Sequence, residues 1–243
     1  MEAYVTAAAE LVLAKLKATP SHRRVLVGIA GVPGSGKSTL AYPLVDRLNA
    51  LLGVYVKGPA EVDLEDVVAA PGKEKSEDEV AIAVGLDGWH HTREELDRFG
   101  CTCLCADPVE ARRRRGAVHF RYVSFIRSPR TDPVVPAVPF PTFSHALKDP
   151  APSPFPILPT HRIVVVEGLY ALLDVEPWRE ATDELDVKIW VDCDRAVARR
   201  RLIRRYLQSG IEPSKEAAEQ RVDLSDIING DIDDPAFAIA TTH

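Results

Sequence analysis

The sequence predicts an α/β fold in which helices wrap a parallel β-sheet. Short apolar runs of strand length alternate with amphipathic helical segments. The first of these runs leads into a glycine-rich turn that opens a helix, the order in which a phosphate-binding strand–loop–helix unit is built. The 243 residues are 46% hydrophobic and 27% charged, enough for one large core and too apolar for a disordered chain. A collagen-like fibre and a small disulfide scaffold are excluded on the same grounds. Lys plus Arg number 30 against 36 Asp plus Glu, a formal net charge of -6. A global grip on a polyanion is therefore not expected, and nucleic acid is not a predicted partner.

The elements follow in order. Ala3 to Lys17 places Val5, Ala8, Ala9, Val12, Leu13 and Leu16 at helical spacing, an N-terminal helix within residues 3–18. Val25 to Ala30 reads as a buried strand. Thr39 to Leu52 is a helix with Leu40, Leu44, Val45, Leu48, Leu51 and Leu52 on its apolar side, and with Pro43 as a potential kink in its first turns. Residues 58–78 are acidic and irregular. Val80 to Leu86, Ile163 to Val166 and Val187 to Val191 are further strands, and Arg195 to Gln208 and Ser214 to Ile228 are long helices. Ten of the nineteen prolines fall between Ser128 and Pro159, which excludes regular helix and marks a linker or functional surface loop, 128–160. The expected organisation is a single domain over 1–243.

No apolar run reaches the ~20 residues of a membrane span. Met1 to Lys17 has neither a basic leader nor a cleavage site, so a cytoplasmic protein is expected, with no membrane partner. Cys101, Cys103 and Cys105 alternate, but they lack the two separated pairs of a structural zinc site and have no nearby histidine to complete one. They are read, with Cys193, as reduced thiols.

The sharpest signal is Gly31-Val32-Pro33-Gly34-Ser35-Gly36-Lys37-Ser38, followed by Thr39, a full match to G-x-x-x-x-G-K-[ST]. Its glycines let backbone N–H groups ring a phosphate, and the helix that follows adds its positive end. Lys37 would bridge the β- and γ-phosphates, and the Ser38 hydroxyl would ligate Mg²⁺. ATP and Mg²⁺ are thus the expected cofactors. No Asn-Lys-x-Asp element of a GTPase and no Leu-Ser-Gly-Gly-Gln signature of a transport ATPase is present.

Acidic residues at the C-terminal ends of strands are the next candidates, since ligands of open α/β sheets bind there. Asp87 follows one run, in Leu86-Asp87-Gly88-Trp89-His90-His91, and Glu167 follows another, in Val166-Glu167-Gly168-Leu169-Tyr170. The first could accept the proton of an attacking hydroxyl; the second could organise the magnesium shell. Trp89 and His90 would offer an acceptor an aromatic surface and hydrogen-bonding groups. Arg112 to Arg115 form one basic cluster. Arg199, Arg200, Arg201, Arg204 and Arg205 form another on a predicted helix, read as a lid over the triphosphate within 195–212.

Taken in order, these motifs resemble the uridine kinase, pantothenate kinase and phosphoribulokinase group. They are the phosphate loop, Asp-Gly-Trp-His, Arg-Arg-Gly-Ala, Ser-His-Ala-Leu-Lys-Asp-Pro, Val-Val-Glu-Gly-Leu-Tyr and an Arg-rich helix ending Ser-Gly-Ile. The chain looks closest to the group's uridine kinase-like, nucleoside-kinase-like branch, over roughly Val25 to Asn229. The resemblance implies a P-loop NTPase three-layer sandwich with a five-stranded parallel sheet and a helical lid. It implies Asp87 as the catalytic base, Arg201 or Arg205 in the lid beside ATP, and Arg115, His145 and Tyr170 among the acceptor-binding residues. Asp226 to Gly230 matches the branch's closing motif. Phe143-Ser144-His145 stands where the branch reads Phe-Asp-His, so one carboxylate is missing. The expected function is ATP-dependent phosphorylation of a hydroxyl on a small metabolite. The alternative is a regulatory P-loop ATPase without a small acceptor. A small-molecule substrate is the expected partner, and a homodimer is left open.

Overall fold

The computed structural model describes residues 1–53, 79–98, 121–128, 137–144, 147, 149–174 and 178–231. In chain order the elements are α1 (Glu2–Ala18), β1 (Val25–Ala30), α2 (Lys37–Leu51), β2 (Ala81–Gly85), a 3₁₀ turn (Leu86–Trp89), α3 (Arg93–Arg98) and α4 (121–127). There follow β3 (Pro141–Ser144), β4 (Asp149–Pro152), β5 (Ile163–Glu167), α5 (Arg179–Asp183), β6 (Val187–Trp190), α6 (Arg195–Gln208), α7 (Lys215–Arg221), a π-turn (Val222–Asp226) and α8 (Ile227–Asp231). The stretch 58–78, the three clustered cysteines, Arg112 to Arg115 and His145 lie outside the described residues.

The main sheet is parallel, in the order β2-β5-β1-β6. Four strands are present among the described residues, where the family resemblance implied five. After β6 the chain enters α6 and α7, an Arg-, Ala- and Glu-rich stretch without the β-branched run that a further strand beside β6 would need.

Side-chain alternation along the strands builds the layers. Val25, Val27, Ile29, Ile163 and Val165 pack against Val5, Ala9 and Val12 of α1 and Leu40, Leu44 and Leu48 of α2. The opposite face, with Leu26, Ile82, Val84, Val164 and Val166, packs against Trp89, Tyr122, Ile126, Phe140 and Trp178. Helix α2 runs through Pro43 to Leu51. An interior proline costs roughly 3 kcal/mol, but four fully or nearly buried residues (Leu40, Leu44, Val45 and Leu48) each return about 1.5–3 kcal/mol, so packing wins. Among the described residues no helix is long and apolar enough to cross a membrane.

Where it is described, the proline-rich stretch is in part a β-ribbon and otherwise irregular. β3 and β4 form an antiparallel ribbon, extended by a bridge between Val138 and Ile157, with Val138, Phe140 and Ile157 buried. Both strands of a two-stranded ribbon are edges, where a missing N–H can be tolerated. The ribbon lies on the Asp87 turn: a Cβ on Gly88 would meet the Pro141 carbonyl oxygen at 2.1 Å.

Behind that turn, Thr92-Arg93-Glu94-Glu95 is a capping box at the start of α3. The Thr92 amide donates to Glu95 Oε2 at 3.0 Å, and the Glu95 amide donates to Thr92 Oγ1 at 3.1 Å. Glu95 also accepts from Arg121 of α4 at 2.6 Å and lies 3.2 Å from Nδ1 of buried His91. Burial opposes ionisation of Glu95, but the Thr92 amide, Arg121 and His91 together hold its carboxyl down to about 2.

A depressed carboxyl contributes stability that is present above its unfolded value, near 4.5, and is lost as pH falls toward about 2. Glu95→Ala should therefore lower Tm at pH 7 by roughly 2–6 °C. The deficit should narrow once the pH drops below about 4.5. Thermal melts of both proteins across pH decide this; a deficit that does not change with pH would show that the charge is not its source.

Candidate active site

The site forms where three neighbouring strands end. Register sets Ile29 of β1 and Gly85 of β2 on either side of Glu167 at the end of β5. Two residues past Ile29 the glycine-rich loop begins, and two residues past Gly85 stands Asp87, exposed at the sheet edge. The loop, Glu167 and Asp87 therefore converge on the carboxyl edge of the sheet without any long-range rearrangement.

The loop's glycines have particular reasons. Gly36, at the N-cap of α2, has φ 104°, in the left-handed region. Gly34 has φ 79°, and a Cβ there would meet the Ala198 carbonyl oxygen at 2.7 Å, so α6 lies directly on the loop. A Cβ on Gly31 would meet the Val191 carbonyl oxygen at 2.5 Å. Ser35 Oγ is buried inside the loop with no hydrogen-bond partner. The first amides of α2 have no intrahelical acceptor and carry the positive end of the helix. An orphaned hydroxyl, a helix start and glycines where a side chain would not fit suit a loop that closes on phosphate.

Lys37 reaches back over this loop, its Nζ donating to the carbonyls of Gly31 at 2.9 Å and Val32 at 3.1 Å. Ser38 Oγ donates to Glu167 Oε1 at 3.3 Å, tying the start of α2 to the end of β5. Burial, and after it the Asp87 charge, push the Glu167 carboxyl up to about 7, against the pull of Lys37 and the Ser38 hydrogen bond. The glycine after each carboxylate is a packing necessity: a Cβ on Gly168 would meet Leu86 Cβ at 2.3 Å, as one on Gly88 would meet β3.

The arginines expected in a lid separate. Arg201 Nη1 lies 3.3 Å from the Ser35 carbonyl oxygen and 3.4 Å from that of Gly34, so Arg201 stands at the loop. Arg205 lies over the ring of Tyr206, 5.5 Å from its centroid. Arg199 grips Asp223 with two hydrogen bonds of 2.7 and 2.8 Å. On the far side of the loop, Gly230 abuts Val32 and Pro33, which brings the Asp226–Gly230 motif to the phosphate loop.

On the acceptor side, Trp89 corrects an expectation. It is 3% exposed and packs into the core on Tyr122 and Phe125, so its ring offers no exposed face. His90 is exposed, its Nδ1 2.7 Å from the Asp87 carbonyl oxygen, and it meets Phe143 edge-on. Tyr170 is half-buried against Trp178, with ring centroids 5.4 Å apart. No group of three or more metal-binding side chains occurs among the described residues. One residue escaped the sequence reading. Tyr42 lies one helical turn after Ser38, and its phenol feels the charges of Glu167 and Asp87; burial and these two carboxylates push its ionisation up to about 12. The signal available was that spacing of four from Ser38.

No protein-family model matches the chain. It is 34% identical over 213 residues to a Schizosaccharomyces pombe protein named "Putative uridine kinase", covering 85% of this chain and 77% of that one. It is 38% identical over 153 residues to an ATP-dependent kinase-like protein of Aspergillus versicolor, covering 60% of this chain and 85% of the relative. Among solved structures, the P-loop protein YFH7 of Saccharomyces cerevisiae superimposes with a TM-score of 0.69 at 23% identity, over 94% of each chain, a likeness of fold.

Lys37→Ala should remove most of the affinity for ATP, because the main cation of the loop is lost while the backbone cradle remains. Calorimetric titration of the variant with ATP tests this, and wild-type affinity would refute the assignment of Lys37.

Proposed function

Since the chain belongs to the P-loop kinase family of uridine kinase-like, ATP-dependent kinases, we propose that it transfers the terminal phosphoryl group of ATP to an alcohol group of a small metabolite. The acceptor we infer is ring-bearing and polar, a nucleoside such as uridine or a pantothenate- or sugar-like compound. The observation that carries this reading is the convergence of the phosphate loop, Glu167 and Asp87 at adjacent strand ends, with Ser38 hydrogen-bonded to Glu167.

Phosphoryl transfer asks the protein mainly for positioning and charge neutralisation. The loop amides and Lys37 hold the phosphates, and Arg201 on α6 stands where it can meet charge that develops as the group moves. Ser38 and Glu167 offer two hard oxygen donors side by side, which fits Mg²⁺ with phosphate and water oxygens completing its shell. The ion supplies neutralisation of the phosphoryl oxygens. Asp87 is the base. The acceptor oxygen bonds to the γ-phosphorus as the bond from that phosphorus to the β–γ bridging oxygen breaks; the hydroxyl proton passes to Asp87, and ADP leaves. His90, held at the Asp87 carbonyl and against Phe143, supplies a ring and polar atoms beside Asp87 for the acceptor, and Tyr170, on Trp178 after β5, is a further candidate.

The test is ATP turnover with and without a panel of nucleosides, pantothenate and sugars, read by mass spectrometry for a product heavier by one phosphate. Slow hydrolysis that no acceptor stimulates would favour a regulatory ATPase instead. With an active acceptor, Asp87→Asn should lower turnover by roughly 10²-fold or more while ATP affinity changes little. If the Asn variant instead lost ATP binding and kept its turnover per bound ATP, Asp87 would be a nucleotide ligand and not the base. Activity should also vanish in excess EDTA and return with Mg²⁺ or Mn²⁺; full activity in EDTA would remove the metal from the reading.

A further inference from the structure

Helix α1 carries two apolar faces, and the fold uses one of them. Val5, Ala8, Ala9 and Val12 are buried against the sheet and α2. Tyr4, Ala7, Leu11, Ala14 and Ala18 form a second stripe on the outer side, and all of them are exposed. Tyr4 is 72% exposed and Leu11 50%. A surface helix with one neighbour turns charged and polar side chains outward, and a helix that is apolar on further faces is built for further burial.

The outer stripe alternates spacings of three and four residues, the period of a coiled-coil seam. Tyr4, Leu11 and Ala18 hold one core position of the heptad, and Ala7 and Ala14 hold the other. Exposed Glu10 flanks the seam on one side and exposed Lys15 on the other. These are the flanking positions that meet across a parallel seam, where opposite charges set partner and orientation. In a parallel pair, Glu10 of each chain faces the partner's Lys15, and the symmetry makes the contact twice. An antiparallel pair matched over the same stripe sets the two Glu10 carboxylates against each other. Lys15 is open to such a contact, since its side chain is 42% exposed and its Nζ lies 3.8 Å from Asp186, at the outer limit of an ion pair.

We propose that the outer stripe of α1 is a self-association surface, and that what covers it is the same stripe of a second copy of this chain, packed parallel about a twofold axis. The face is about 26 Å long and about 10 Å wide, well short of the roughly 800 Å² per partner of a standard stable interface. The pair therefore forms and dissociates with protein concentration. The Asp87 turn packs through Trp89 into the opposite layer of the sheet, so pairing through α1 does not draw on it.

Sedimentation velocity of the full chain between about 5 and 200 µM tests this, and the dimer fraction should rise across that range. Leu11→Asp should stay monomeric throughout, with Tm within about 2 °C of wild type and ATP affinity unchanged, because the substitution is at an exposed position. Tyr4→Asp serves in the same way if the Leu11 variant does not accumulate. Glu10→Lys should weaken the dimer by roughly five- to tenfold, and Glu10→Lys with Lys15→Glu should return it to within about threefold of wild type. A wild-type chain that is monomeric at about 200 µM overturns the proposal. In that case a lowered Tm in Leu11→Asp would show that the chain's own residues cover the stripe, and binding of wild type but not Leu11→Asp to anionic lipid vesicles would show a membrane surface. A dimer that survives both Leu11→Asp and Tyr4→Asp uses another face and overturns it as well. So does a double charge exchange that fails to restore association, since the parallel Glu10–Lys15 contact is then absent.

Discussion

The parallel register of β2, β5 and β1 is the constraint on which the site depends. Glu167 has Ile29 on one side and Gly85 on the other, and only that alignment brings the loop after β1 and the turn after β2 to the same carboxylate. The core enforces it. Ile163 and Val165 pack into the layer of α1 and α2, while Val164 and Val166 pack into the opposite layer. A slip of one residue would exchange the two sets between unlike surroundings. With about 1.5–3 kcal/mol at stake for each buried side chain, such a slip is far outside what a folded chain tolerates. The carboxyl edge of the sheet thus inherits its precision from aliphatic packing several residues away.

Charge at that edge is arranged for an incoming anion. Burial, and after it the Asp87 charge, raise the cost of ionising Glu167. The cations that could offset these two carboxylates are turned toward the loop: Lys37 donates to the carbonyls of Gly31 and Val32, and Arg201 lies against those of Gly34 and Ser35. Exchanging a neutral carbonyl for an anionic phosphate oxygen adds ion pairing to each such hydrogen bond. A triphosphate therefore offers both side chains better partners within short reach, and their movement onto it leaves no buried donor unpaired.

Much of this was legible in the sequence, for physical reasons that differ from element to element. β1 and α6 have the bounds expected, Val25–Ala30 and Arg195–Gln208, because each carries one unambiguous period between clear stops. The loop was legible because phosphate binding fixes residue types at fixed spacing. The position of Asp87 and Glu167 at the sheet edge was legible because each follows an apolar run of strand length. Trp89 was misread: a tryptophan beside a reactive turn serves an acceptor or the core equally well on sequence, and Tyr122 and Phe125, which hold it inward, are more than thirty residues away. The ribbon was hidden by its own prolines, which argue against strands everywhere except at edges. Tyr42 was hidden because its neighbours are set by tertiary packing, although Ser38 pointed along its face.

The C-terminal motif shows how one helix can serve two partners at once. Ala218 and Val222 are buried against Leu202, Ile203 and Tyr206 of α6, Asp226 accepts the Tyr206 hydroxyl at 2.8 and 3.0 Å, and Gly230 abuts Val32 and Pro33. These four residues recur every fourth position. In an uninterrupted α-helix a spacing of four drifts by about 40° each time, so the last would turn well away from the first. The π-turn Val222–Asp226 sits in the middle of the series, and its wider i→i+5 ring takes up that drift. The helix can then lay one continuous face along α6 and onto the outer wall of the phosphate loop. Since α6 itself rests on Gly34, the loop is braced by β1 from below, by α6 from the side and by α8 from outside. Tyr206 of α6 and Asp226 of the π-turn tie these two segments together. The glycine-rich loop and the segments packed on it, α6 and α8, therefore hold one another in place.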